Sequence, residues 1–267
     1  MSTMSYAAAD SATMLRRSLR HMIRYPSMTL MLAFMPIVLL LIFVYVFGGT
    51  LGSGLGHVPG GGGRAAYISY VVPGIIVLSI ACVVQATAIS VAMDMTTGII
   101  ARFRTMAISR SSVLTGHVLG TQIQVLFTMA LVIGVGLAIG FRTHASAGAW
   151  LAVIGVLLMT SFALTWLSVA LGLVAKTVES ASNLPMFLTL LPFLGSGFVP
   201  TASMPIALRW FAEYQPFTPV TETVRGLLVG GPVAGHVIVS AAWTVGIALV
   251  SYVWAKRLYN RGPQLSR

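Results

Sequence analysis

The charged residues of this chain stand so far apart that six long stretches of sequence contain none. These stretches are framed by Arg24 and Arg64, Arg64 and Asp94, Arg110 and Arg142, Arg142 and Lys176, Glu179 and Arg209, and Arg225 and Lys256. A charge at the centre of a bilayer costs about 2.5–3.5 kcal/mol even on the mildest scale. Only 8% of the 267 residues are charged and 57% are hydrophobic, whereas soluble domains carry roughly 25% charged residues. The chain is therefore predicted to lie in a membrane.

The predicted fold class is all-α, with one transmembrane helix in each charge-free stretch. Each stretch is long enough for one crossing, which takes about 20 residues of helix, and too short for two. The six predicted spans are 28–47, 68–93, 118–140, 150–175, 182–199 and 235–255. The segments between them are too short to fold alone, so residues 1–267 are expected to form a single transmembrane domain.

The basic residues predict the orientation, because cytoplasmic loops carry an excess of Lys and Arg. With the N-terminus inside, twelve basic residues fall on the cytoplasmic side, and these are Arg16, Arg17, Arg20, Arg24, Arg102, Arg104, Arg110, Lys176, Lys256, Arg257, Arg261 and Arg267. The outer segments hold the other four, which are Arg64, Arg142, Arg209 and Arg225. Both termini of this multi-pass protein are therefore expected in the cytoplasm, and the protein in the cell membrane.

Composition also excludes several classes of site. The net charge of +11 does not indicate nucleic acid, because the basic residues lie between apolar runs and not on a soluble module. Cys82 is the only cysteine, which excludes a disulfide framework and a cysteine-based zinc site. No metal site and no catalytic residue is expected.

An amphipathic helix is predicted over residues 10–24, ahead of the first span. Leu15, Leu19, Met22 and Ile23 share one helical face. The basic residues of this segment are Arg16, Arg17, Arg20 and Arg24. Such a helix lies in the inner membrane surface with its arginines toward anionic headgroups. It serves either as an anchor alone or as a lever against a cytoplasmic partner.

A second segment, residues 94–116, joins the second and third predicted spans on the cytoplasmic side. Its candidate contact residues are Asp94, Gly98, Arg102, Phe103, Arg104, Ile108, Ser109 and Arg110. Phe103 and Ile108 are apolar, and a short cytoplasmic loop has no need to expose apolar side chains. Exposed apolar side chains usually mark a contact surface. The alternative is a loop that dips into the membrane and is anchored by its charges.

A third segment, residues 200–231, precedes the last span and is rich in proline. The residues of this segment that we predict to shape the external structure are Pro205, Trp210, Pro216, Pro219, Glu222 and Arg225. Glu222 and Arg225 are three residues apart and can pair on a helix. The fifth span before it is interrupted by prolines and glycines, which is tolerated where a helix packs on protein or lines a cavity. We expect two short external re-entrant helices that close the outer end of a pathway; the alternative is a plain external loop.

The outer segment 48–63 is rich in glycine and is expected to be a flexible connector.

Two sequence patterns give the chain a family resemblance over nearly its whole length. The first runs from Asp94 through Gly98, Arg102 and Ile108-Ser109-Arg110 to a GxxLG pattern at 116–120, although Ala107 stands where family members often have proline. The second runs from Phe198 to Gly231 with FVP, MP, RW, QPFTP and LL-GG elements. The chain resembles the membrane subunit of type-2 ABC exporters, close to the daunorubicin-resistance-type drug efflux permeases.

The resemblance implies roles for the three segments. Residues 98–110 would hold the coupling helix that docks on an ATPase, residues 10–24 would be the flanking interface helix, and residues 205–230 the external re-entrant pair. It also implies two ATPase subunits and a second permease chain, identical or not. ATP and Mg²⁺ would bind the ATPase, because Lys176 and Lys256 are the only lysines and neither lies in a GxxxxGK[ST] motif. The chain would not be an enzyme alone.

The spans contain few polar residues that could touch a cargo. The weak candidates for substrate binding are Gln85, Gln122, Gln124 and Asn183, although polar groups in spans more often join helices. A nearly uncharged pathway favours a hydrophobic or amphipathic cargo, such as a drug, an antibiotic or a lipid.

Three alternatives stand beside the exporter. An ion-coupled secondary transporter would more often carry a row of intramembrane acidic or lysine residues. An intramembrane serine protease would use Ser196 and His236, but Leu194 stands where a rhomboid-type GxSG motif has its first glycine. A membrane scaffold without transport is the third.

Overall fold

The computed structural model describes residues 26–54, 63–96, 110–175 and 177–261, and within these ranges the chain is helical and contains no strand. The long helices are α1 (Pro26–Tyr45), α3 (Arg64–Thr96), α4 (Arg110–Ala138), α5 (Ala147–Val174) and α10 (Ala234–Arg261). The short helices are α2 (Gly48–Gly54), α6 (Val178–Asn183), α7 (Met186–Leu190), α8 (Ile206–Tyr214) and α9 (Phe217–Val229). Two 3-10 helices cover Leu191–Leu194 and Thr201–Ser203. The all-α prediction is confirmed.

Four helices of the described chain are long and apolar enough to cross a membrane. They lie in α3, α4, α5 and α10 and overlap the second, third, fourth and sixth predicted spans. A fifth candidate is the pair α1 and α2, whose axes differ by 68° across a short break. The described residues thus supply four or five spans, and the predicted count of six is not confirmed.

The predicted fifth span, 182–199, is the one that no continuous helix covers. This region consists of the end of α6, then α7, the 3-10 helix Leu191–Leu194 and a set of turns. Pro185 directly precedes α7, and Pro192 lies in the 3-10 helix. Proline lacks a backbone N–H and collides with the preceding helical turn, which explains both interruptions. We call residues 178–198 the broken segment.

The expectation of a flexible connector at 48–63 is wrong for its first part. Residues Gly48–Gly54 form α2, and Gly48 and Gly52 are buried. A Cβ atom on Gly52 would lie 2.1 Å from the carbonyl oxygen of Gly63. Glycine is therefore required here because two backbone segments touch. Residues 55–62 lie outside the described part of the chain.

Helix α3 is the centre of the described structure. In its most apolar window 72% of the residues are buried, against 17% in α10. It packs on α1, α4, α5, α9 and the broken segment. The largest side chains with no exposed surface include Tyr67, Ile75, Ile76 and Leu78 of this helix. Helix α3 therefore contacts most of the other described elements.

Candidate functional site at the two ends of the central helix

Arg225 of α9 joins three parts of the protein near the N-terminal end of α3. Its Nε and Nη2 atoms donate to the carbonyl oxygen of Tyr70, each at 3.2 Å. Nη2 also donates to the carbonyl oxygen of Ser196, at 2.7 Å. The guanidinium carbon lies 3.8 Å from the centre of the Tyr70 ring, within the range of a cation–π contact. One side chain thus holds α9, α3 and the broken segment together.

Two tyrosines of α3 also bind the end of the broken segment. The Tyr70 hydroxyl donates to the carbonyl of Ser196 at 2.8 Å, and the Tyr67 hydroxyl donates to the carbonyl of Phe198 at 3.2 Å. Where a helix ends, its last carbonyls lose their partners, and in a membrane interior water cannot replace them. These hydroxyl groups and Arg225 supply the missing donors.

The predicted ion pair between Glu222 and Arg225 is present in α9. The distance between Arg225 Nη1 and Glu222 Oε1 is 2.5 Å. The Arg225 side chain is 11% exposed and that of Glu222 28% exposed. The paired carboxylate offsets the cost of burying the guanidinium. We name Tyr70, Ser196, Glu222 and Arg225 the outer cluster, after the side to which the topology prediction assigns it.

Close backbone contact brings the broken segment onto α3. A Cβ atom on Gly74 would lie 2.3 Å from the carbonyl oxygen of Gly197. The side-chain amide of Gln215, which follows α8, donates to the carbonyl of Leu191 at 3.0 Å. The segment is therefore bound both to α3 and to the turn between α8 and α9, and the absence of a side chain at Gly74 makes the close approach to α3 possible.

A cavity of about 250 Å³ opens beside the outer cluster. It is lined by Ser69 and Tyr70 of α3, by residues 200–202, and by Glu222, Arg225, Val229 and Gly230 in and after α9. This volume is below that of most drug-sized sites, which hold about 300–1,000 Å³. The cavity can accept an end group and not a whole drug-sized molecule.

The marked prolines of the third segment lie at the starts of the two short helices. Pro205 precedes α8, Pro216 precedes α9, and Pro219 lies in the first turn of α9. Proline fits these positions because the first turn of a helix does not use its N–H groups. Trp210 of α8 is 64% exposed and packs on the Tyr214 ring, with centroids 5.2 Å apart. The structure thus contains a pair of short helices here; their external location stays a prediction.

At the opposite end of α3, Asp94 pairs with a residue that the sequence analysis did not single out. The distance between Asp94 Oδ2 and His117 Nε2 is 3.0 Å, and the two side chains are 15% and 18% exposed. Further along the same two helices, the hydroxyls of Thr87 and Thr121 lie 2.7 Å apart. We call Asp94 and His117 the inner pair. It joins α3 to α4, the helices on either side of the predicted coupling loop.

The sequence profile of the family described as "ABC-2 type transporter" matches residues 11–229. The chain belongs to the ABC-2 type transporter family.

Two similar proteins agree with this assignment. The permease is 28% identical over 249 residues to the daunorubicin resistance ABC transporter permease protein DrrB1 of Streptomyces coeruleorubidus, covering 91% of this chain and 81% of that protein. It is 26% identical over 166 residues to the probable doxorubicin resistance ABC transporter permease protein DrrC of Mycobacterium tuberculosis, covering 62% of this chain and 60% of the relative. The resemblance to type-2 ABC permeases is confirmed.

Most predicted contact residues of the ABC-2 permease toward an ATPase lie outside the described residues. In the loop these are Gly98, Arg102, Phe103, Arg104, Ile108 and Ser109, and in the N-terminal segment they are Arg16, Arg17, Arg20 and Arg24. Of the other two loop residues, Asp94 belongs to the inner pair and Arg110 is the first residue of α4. Their roles stay predictions.

The weak substrate-binding candidates divide by location. Gln85 donates to the carbonyl of Ser182 at 3.1 Å and accepts from Thr189 at 2.8 Å, so it joins α3 to the broken segment. The Gln122 amide lies 2.6 Å from the Ser161 hydroxyl and joins α4 to α5. Gln124 is half-buried and Asn183 is exposed. The first two therefore connect helices of the permease.

Ser196 contributes through its backbone. Its carbonyl accepts from Arg225 and Tyr70, and its N–H donates to the Thr218 hydroxyl at 3.3 Å. Its own hydroxyl is buried and has no hydrogen-bond partner among the described residues, so it is not bonded to His236 there. A hydrogen bond between nucleophile and base is the usual mark of a serine hydrolase.

Sequence reasoning missed Tyr70, His117 and the carbonyl of Ser196. Tyr67 and Tyr70 are three residues apart at the start of an apolar span, a spacing that places them on one helical face. That pattern could have drawn attention to them. The pairing of His117 with Asp94 has no local signal, because the residues lie 23 positions apart on different helices.

Proposed function

We propose that this chain is the transmembrane subunit of an ATP-driven exporter that moves a hydrophobic or amphipathic molecule out across the cytoplasmic membrane. The match to the ABC-2 type transporter family over residues 11–229 carries this proposal. Energy would enter from a separate ATPase subunit, which binds ATP and Mg²⁺. Both termini would lie in the cytoplasm.

The predicted docking surface is the loop that joins α3 to α4, together with residues 10–24. The inner pair supports this assignment, because it ties together the two helices that flank the loop. A movement of the docked ATPase would then shift α3 and α4 together as a rigid unit. Because α3 contacts most other elements, the same movement would reach the outer cluster.

The proposed assembly contains two permease chains and two ATPase subunits. The described part of the chain supplies only four or five spans, and its outward-facing helices carry many exposed apolar side chains. Lipid and a second permease chain would cover these surfaces. The second permease chain is either a copy of this one or a related chain.

The proposed cargo class rests on two observations. The relatives are named for resistance to daunorubicin and doxorubicin. The spans of this chain are nearly free of charge, which suits a molecule that partitions into a membrane. A lipophilic drug, an antibiotic or a lipid fits this description.

Co-expression of the chain with candidate ATPase subunits tests the proposal. We expect daunorubicin efflux and co-purification of the ATPase with the permease, and no ATP hydrolysis by the permease purified alone. Efflux that persists without any ATPase would contradict an ATP-driven mechanism.

Charge reversal in the loop tests where the ATPase docks. The double variant Arg102→Glu/Arg104→Glu should lose efflux and ATPase recruitment. The matched control is Lys256→Glu/Arg257→Glu, which removes the same amount of predicted cytoplasmic positive charge from the exposed end of α10. Equal losses in both double variants would show a general effect on topology and would contradict the docking assignment.

A further inference from the structure

We propose that the cavity beside the outer cluster binds the ammonium end group of an amphipathic cargo, with the Glu222 carboxylate as its acceptor. The inference rests on the proposed export function and assigns a binding residue to it. It concerns one end of the cargo, because a cavity of about 250 Å³ is too small for a whole drug-sized molecule.

Two charged side chains line the cavity, and the carboxylate of Glu222 is the more exposed of them. Glu222 has a side chain 28% exposed, whereas that of Arg225 is 11% exposed. Within the described residues, Glu222 is bonded only to Arg225, through Oε1. Its second oxygen is therefore available to an N–H donor, and a hydrogen bond between charged partners is about twice as strong as a neutral one.

Arg225 is occupied by the protein itself. It donates to the carbonyls of Tyr70 and Ser196 and to Glu222, and its plane rests on the Tyr70 ring. An anionic ligand would have to compete with these partners. An ammonium group displaces none of these bonds, because it needs only the carboxylate oxygen that Arg225 leaves unbonded. Sharing one carboxylate with the guanidinium weakens the attraction, because the two cations repel each other.

The position of the cavity fits a step late in export. It lies between α3, the residues that follow the broken segment and α9, at the end of the bundle that the topology prediction places outside. A cargo whose apolar body is still in the membrane could place its polar end there.

Binding of daunorubicin to the full chain in lipid nanodiscs tests this proposal. Daunorubicin carries a primary amine that is charged at neutral pH, and its N-acetylated form is neutral, so the two probes separate charge from shape. Protein-free nanodiscs correct for partition into lipid. The variants are Glu222→Gln, which keeps an oxygen for Arg225, and Glu222→Asp, which keeps the charge. The control is Glu179→Gln, which removes an exposed carboxylate that does not line the cavity.

The expected result is selective. Glu222→Gln should weaken daunorubicin binding on the order of tenfold and leave binding of the N-acetylated form unchanged. Glu222→Asp should retain a preference for the charged probe, and Glu179→Gln should bind both probes like the unmodified chain.

Three results would overturn the proposal. These are equal weakening of both probes by Glu222→Gln, no preference of the unmodified chain for the charged probe, and no binding beyond that of lipid alone. Failure of the proposed function has a different signature, which is absence of efflux with the ATPase present although the nanodisc preference is retained.

Discussion

The two ends of the central helix α3 are held in different ways. At the outer cluster, Arg225 binds the backbone carbonyls of two other segments and the face of an aromatic ring. At the inner pair, Asp94 and His117 meet through their side chains and join α3 to α4. The outer end is therefore held by bonds to the backbone of other segments, and the inner end by a bond between two side chains. Loss of the outer contacts is expected to lower stability more than loss of the inner pair.

The largest expected effect comes from Arg225→Ala, which tests how much the contacts of the outer cluster contribute to stability. The change leaves Glu222 unpaired and removes donors from the carbonyls of Tyr70 and Ser196. We expect a loss of about 3 kcal/mol of stability, measured by thermal unfolding of the purified chain. Arg225→Lys should be intermediate, because an ammonium cannot imitate the planar guanidinium.

The matched control for this change is Arg209→Ala. Arg209 pairs with Glu213 on the same stretch of chain, but the two side chains are 50% and 41% exposed. Such pairs contribute about 0–1 kcal/mol. Equal unfolding temperatures for the Arg225 and Arg209 variants would show that the buried contacts of Arg225 contribute no more stability than an exposed ion pair.

Gly74→Ala should have the next largest effect. The added methyl group would lie 2.3 Å from the Gly197 carbonyl oxygen, so α3 and the broken segment must separate. We expect a loss of about 2 kcal/mol from such overpacking, read as a lower unfolding temperature. Gly155→Ala is the control, because a Cβ atom there meets nothing within 4 Å. If the two variants are equally stable, the close approach is not needed.

Tyr70→Phe measures a single hydrogen bond of the outer cluster. The ring under Arg225 remains, and the Ser196 carbonyl keeps its bond from Arg225. We therefore expect a loss of about 1 kcal/mol, measured by chemical unfolding in detergent. A loss as large as that of Arg225→Ala would mean that the hydroxyl, and not the guanidinium, holds the segment.

The smallest effect is expected at the inner pair. A double-mutant cycle with Asp94→Asn and His117→Ala should give a coupling energy of about 0.5–1 kcal/mol. If the pair transmits movement of the loop, the same variants should lower the efflux rate even where the unfolding temperature of the chain is nearly unchanged. A coupling energy larger than the effect of Arg225→Ala would reverse the comparison of the two ends.

Much of the local structure could be predicted. The charge-free stretches predicted the long helices, and the spacing of Glu222 and Arg225 predicted their ion pair. The prolines at 185 and 192 predicted an interrupted fifth span, although the count of six spans is not confirmed. Each of these predictions depends on residues close together in the sequence.

The partners of Arg225 could not be predicted in this way. Tyr70 and Ser196 lie 126 residues apart in the sequence, and the bond between them forms only when the broken segment packs on α3. The helical form of Gly48–Gly54 was also missed, because its support comes from contact with Gly63. Local propensity favours a loop at that composition, and tertiary packing overrides it.

The sequence by itself determined that this protein lies in a membrane, because a chain with so few charged residues cannot cover its surface with groups that favour water. It also determined where the long helices lie and where the fifth predicted span breaks, since both depend on hydrogen bonding within short stretches of backbone. Only the tertiary structure decided that α3 is central and α10 peripheral, although both are apolar enough to span a membrane. Hydropathy measures the preference of a side chain for an apolar medium, and lipid and neighbouring helices satisfy that preference equally well.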